Sequence, residues 1–167
     1  MIRNNDVQGF ANMSEVDRIV DQLTRAFEGE AWHGSAVLEI LNETSARQAT
    51  TRPIDGAHTI WETALHITAW LRACRRRLEG DRAELSDSED WPAVIHTTDE
   101  AWREVLTAMK QALDELRAAI SSLDDSRLEQ PIIAGMSSVY ITLHGVIQHS
   151  LYHAGQMAIL KKAQGKA

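Results

Sequence analysis

The chain of 167 residues has a single cysteine, Cys74, which excludes an internal disulfide framework and any zinc site built from several thiolates. Proline is almost absent and glycine is sparse, with three and nine residues. That sparseness favours long helices over a turn-rich β fold. Basic residues are outnumbered, 17 against 24 acidic, for a formal net charge of −7. The composition therefore gives no overall bias toward a face that neutralises nucleic-acid phosphates, and no nucleic-acid partner is expected. The first residues, Met1 to Asp6, hold no apolar signal region, so a cytoplasmic location is the default expectation. Gly-rich phosphate loops, a His-Glu-x-x-His pair and a Gly-x-Ser-x-Gly elbow are all missing.

One long segment lacks charge altogether. Residues 131–160 contain no Lys, Arg, Asp or Glu. A membrane span needs about 20 mostly apolar residues, but this stretch carries three histidines, two glutamines and several hydroxyls, which are costly in lipid. A helix without a charged face is better buried on several sides within protein. Because one bundle interior covers only part of such a surface, a homodimer is expected as well.

What is present reads as one all-helical domain spanning 1–167, with 1–13 as a loosely packed arm and 14 onward as an up-down-type four-helix bundle. In the first region, 14–43, Val16, Ile19, Val20, Leu23 and Phe27 recur at helical spacing, as do Val37, Leu38 and Leu41. Gly29 and Gly34 bracket a break between the two pieces, and 51–56 is a connection. Thr59-Ile60-Trp61-Glu62 has capping-box spacing and opens a second helix that runs to Leu78 and stops at Gly80. Arg72, Arg75, Arg76 and Arg77 lie toward its negative end, and an acidic, irregular loop follows over 81–97. Trp102, Leu106, Met109, Leu113, Leu116, Ile120 and Leu123 form the heptad seam of a third helix. Residues 124–136 connect, and a fourth helix runs from about Ser137 to Lys162.

The chemistry-bearing residues are histidines. His149 and His153 are four apart, which puts both imidazoles on one face of the fourth helix, close to the stripe of Val146, Met157 and Leu160. His66 sits in the middle of the second helix. Three such ligands can hold one divalent ion and leave a coordination position open. Spacing alone leaves the alternative that these are hydrogen-bonded core histidines. His144 lies about 140° around the helix from His149 and is not expected to share an ion. Glu30 and His33 fit Glu-x-x-His, but a di-iron bundle needs a second such motif and further Glu ligands. His33, His58 and Trp70 are candidates for lining a pocket at the site, and Cys74 reads as a packed helix residue.

The run His149-Ser150-Leu151-Tyr152-His153-Ala154-Gly155-Gln156-Met157 resembles the C-terminal signature of the DinB-like family, His-x-x-Tyr-His-x-Gly-Gln followed by apolar residues. The stretch from His58 to Trp70 is similar to that family's second-helix motif, a histidine four residues before an aromatic, and Trp32-His33-Gly34 is similar to one branch. The resemblance implies a DinB/YfiT-like four-helix bundle with a metal site at His66, His149 and His153, zinc or nickel as the ion, and frequent dimers. Some relatives are transferases or isomerases that use a low-molecular-weight thiol such as bacillithiol or mycothiol. A thiol-dependent transferase with an unknown small-molecule substrate is therefore one expectation. A non-catalytic module stabilised by metal, or sensing it, is the other. The enzyme reading expects an open ligand position facing a pocket lined by the first, second and fourth helical regions.

Overall fold

A computed structural model describes residues 13–165; the expected arm at 1–13 lies almost wholly outside the described residues. Within them the chain is all-helical. α1 spans Glu15–Glu28, α2 Val37–Asn42, α3 Ala46–Thr50, α4 Ile60–Leu78, α5 Asp87–Asp90, α6 Asp99–Ser121 and α7 Val139–Gln164. The four long helices α1, α4, α6 and α7 are those expected from the sequence. The break around Gly29 and Gly34 separates α1 from α2. The short helices α3 and α5 are additions that apolar periodicity did not reveal, because each is only about one turn long. None of the helices is long and apolar enough to cross a membrane.

Local chemistry sets the helix ends. Ser14 caps α1 by accepting from the Asp17 amide, and the carboxylate of Asp125, brought by a 3₁₀ turn, accepts from the amides of Glu15 and Val16 at 2.9 Å. α4 begins with the expected capping box. Thr59 Oγ1 accepts from the Glu62 amide, and the Glu62 carboxylate accepts from the Thr59 amide at 2.7 Å. Burial acts to raise the Glu62 carboxyl, but the Thr59 hydrogen bond and then Arg52 outweigh it and hold the group below its ordinary value. α4 ends in a Schellman motif: Gly80 takes a positive φ of 97°, its amide bonds the Arg77 carbonyl, and the Asp81 amide bonds the Arg76 carbonyl.

The core lies among the long helices. α4 packs on both α6 and α7, and α1 packs on α6 and α7. Met109, Leu113, Leu116 and Ile120 of the α6 seam are fully buried, against Leu23 and Phe27 of α1 and Ile67 and Leu71 of α4 in one cluster. Trp102 donates to the Thr44 carbonyl at 2.7 Å and tilts against Trp61. On α7, Leu143, Val146, Ile147, Ala154, Met157 and Leu160 face inward, while Ile141, Tyr152 and Ile159 remain exposed. Residues 139–160 of this helix carry no Lys, Arg, Asp or Glu, and their open side shows these apolar side chains beside Gln148 and Gln156.

Candidate metal centre

Two helices bring the three histidines together. His66 sits in mid-α4 and is buried. His149 and His153 follow one another by a turn on the α7 face that meets it, with His153 buried and His149 half-buried. The ligand atoms of all three lie within 4.8 Å of one another. His66 Nε2 is 2.9 Å from His149 Nε2, which is 3.1 Å from His153 Nε2.

The opposite ring nitrogens explain this convergence. His66 Nδ1 faces two acceptors of Asp90, the backbone carbonyl at 2.7 Å and Oδ1 at 3.0 Å. His153 Nδ1 lies 2.6 Å from Gln156 Oε1. Acceptors at both Nδ1 positions place the ring protons there, so both Nε2 lone pairs point at His149. One proton on His149 Nε2 cannot satisfy both well, and His149 Nδ1 is buried without a partner. A cation at the meeting point resolves the mismatch. Two ring nitrogens bound to a tetrahedral zinc at about 2.0–2.1 Å stand about 3.3–3.4 Å apart, close to the separations of His149 Nε2 from its two neighbours, 2.9 and 3.1 Å. The residues fit the ion.

Electrostatics agree with a neutral, ligating state. Burial lowers the His149 pKa to about 4, helped by the neighbouring rings of His153 and His66. Burial likewise lowers that of His153, although Gln156 acts in the opposite direction. Both imidazoles therefore keep lone pairs at neutral pH.

Rings enclose the ligand on α4. Trp91 stacks on His66 with centroids 3.9 Å apart and planes within 6°, and His58 stacks on the far side of Trp91 at 3.6 Å. Trp70 meets His66 edge-on and donates its indole N–H to Asp90 Oδ1 at 2.6 Å. Asp90 thus ties the ligand to the adjacent aromatic. These roles of Asp90 and Trp91 were not visible in the sequence, where 81–97 read as a solvated acidic loop. Gln156 belonged to the quoted signature, and its i,i+3 spacing from His153 is the signal that foretells the contact.

The remaining candidates fall in different places. Trp70 lines a cleft of about 280 Å³ with Cys74, Arg77, Ile141, Gly145, Val146 and His149. His58 lines a separate depression of about 300 Å³ that includes Gln156. His33 lines a broad groove of about 1040 Å³ on another side of α7, with Gln148, Tyr152 and Gly155, and no triad histidine borders it. The cleft at His149 is formed by α4, α7 and Ser137, with no contribution from α1 or α2; the expectation of a wall from the first helical region is corrected on this point. The break after Glu28 carries His33 to the other groove instead. His144 sits against Tyr140, outside the triad. Cys74 is buried, and desolvation pushes its thiol up to about 12, so it stays protonated.

The fold and site define a helical protein with a buried three-histidine cluster able to hold a metal. The sequence model described as the DinB superfamily matches residues 31–157. The chain belongs to the DinB superfamily. No curated protein and no solved structure matches it.

Proposed function

We propose that this chain is a metal-dependent enzyme that holds one divalent ion, zinc or nickel, through His66, His149 and His153, and that it transfers a low-molecular-weight thiol to an electrophilic substrate. The observation that carries the reading is the convergence of three ring nitrogens, two of them aimed by hydrogen bonds on their Nδ1 atoms. Bound there, the ion supplies Lewis acidity and stabilises a thiolate at neutral pH. Asp90 and Gln156 hold two ligand rings in orientation. Trp91 and Trp70 cover His66 and keep water from its face. His149 is the ligand that borders the cleft, which gives a small molecule its approach.

A purely structural site favours a fourth protein ligand. Among the described residues the cluster contains three, and the nearest extra carboxylate, Asp90, is engaged with His66 Nδ1 and the Trp70 indole. That favours an open position and the catalytic reading. Cobalt-substituted protein tests it, because its visible spectrum reports ligand number and sulfur binding. A new sulfur-to-cobalt charge-transfer band on adding a small thiol is expected. A spectrum that no thiol alters removes the transferase reading. The homodimer belongs to the same proposal, supported by Ile141, Tyr152 and Ile159 exposed on the charge-free part of α7, residues 139–160; a monomer mass by light scattering at micromolar concentration removes it.

A further inference from the structure

The cleft beside His149 contains a cation that the triad does not use. Arg77 projects from the last turn of α4, with its guanidinium 5.3 Å from the Trp70 ring centroid. Its Nε and Nη2 donate to the backbone carbonyls of Arg82 and Ala83 at 3.1 and 3.2 Å. Both acceptors are neutral. Among the described residues no carboxylate pairs with Arg77, whereas its neighbours Arg75 and Arg76 are paired with Glu79 and Asp81. The side chain is therefore oriented by carbonyls and stacking, while its charge is left uncompensated at the wall of a cleft.

The rest of that wall is apolar or neutral. Trp70, Ile141 and Val146 supply hydrocarbon surface, and Cys74 is a protonated thiol at neutral pH. Gly145 is a helical residue whose missing side chain leaves space: a Cβ built there meets nothing within 4 Å. The volume, about 280 Å³, is just below the usual small-molecule range of roughly 300–1,000 Å³.

We propose that this cleft is the substrate site of the metal centre, and that it takes a small carboxylate-bearing molecule with an apolar body, its carboxylate on Arg77 and its body against Trp70, Ile141 and Val146. The assignment to the metal centre rests on the function proposed above; the preference for an anion rests on Arg77 alone. The ligand lies along α4 and α7 between the guanidinium and His149, so that the end remote from its carboxylate reaches the triad.

The test uses hexanoate and 3-phenylpropionate with their neutral amides, titrated into metal-loaded and metal-free protein and followed by ligand-observed NMR. Metal content is measured in the same samples. At least one acid is expected to bind about tenfold or more tightly than its amide. Arg77→Gln is expected to erase that preference and Arg77→Lys to retain part of it. Gly145→Leu fills the open space and is expected to weaken acid and amide alike, with metal content unchanged. Equal affinity for acid and amide, no binding of either acid, or undiminished binding in Gly145→Leu overturns the proposal. Because Arg77 is not a ligand, the acid preference is expected in metal-free protein too. Absence of metal from the reconstituted wild type therefore defeats the enzyme reading while leaving the anion preference to be judged on its own measurement.

Discussion

Helix α6 and the segment that carries Asp90 and Trp91 make opposite contributions to this molecule. α6 is long, periodic and contributes no residue to the triad; its seam of Met109, Leu113, Leu116 and Ile120 is fully buried. The segment around α5 is short, acidic and largely exposed, yet it holds a ligand ring from two sides, by the hydrogen bonds that Asp90 accepts from His66 Nδ1 and by the stacked indole of Trp91. Folding and site orientation are therefore separable: one region supplies hydrophobic burial and the other supplies direction to a nitrogen lone pair.

Paired truncations should separate them most sharply. His149→Ala is expected to abolish stoichiometric metal while far-ultraviolet circular dichroism still reports the helices. Leu113→Ala, in the fully buried seam, should lower unfolding free energy by about 2–5 kcal/mol and leave one metal per chain. Loss of folding in the first variant or loss of metal in a folded sample of the second breaks the comparison.

Asp90→Ala comes next. It removes the carboxylate from His66 Nδ1 and from the Trp70 indole but keeps the backbone carbonyl as an acceptor. Chelator competition should show metal affinity reduced by about 10- to 100-fold, with thermal stability nearly unchanged. An unaltered affinity means the segment is a bystander.

A smaller effect is expected from pH on the metal-free protein. His149 titrates near 4 when folded, because it is buried beside two other imidazoles, against about 6.5 in an unfolded chain. Between those values the unfolded state binds protons that the folded state refuses. The His149 contribution is complete above about pH 6.5 and is lost as pH falls toward 4. Urea midpoints should drop across that window, and His149→Gln should reduce the slope. The smallest expected effect is at the cap. Thr59→Ala should cost about 1 kcal/mol in urea unfolding without altering metal content.

The same contrast explains what could be read from sequence. Helices α1 and α6 were legible because they repeat apolar residues at helical spacing, α4 because the caps at Thr59 and Gly80 announced themselves by residue type, and α7 as a long stretch without charge. His149 and His153 were legible as an i,i+4 pair. His66 needed its place in a second helix and the family resemblance. Asp90 and Trp91 were hidden because their relation to His66 is tertiary: 24 residues separate His66 from Asp90, and an acidic loop beside a basic helix end looks like solvated charge. The uncompensated charge of Arg77 was hidden for the same reason, since only the folded chain shows which of the clustered arginines is paired.

The most direct test of the account is the metal content of the purified chain after reconstitution with zinc or nickel and removal of loosely bound ion, measured by elemental mass spectrometry against protein concentration. One ion per chain is expected in the wild type and none in His66→Ala, His149→Ala or His153→Ala. A wild type without stoichiometric metal, or histidine variants that retain it, contradicts the claim that these three rings form a metal centre.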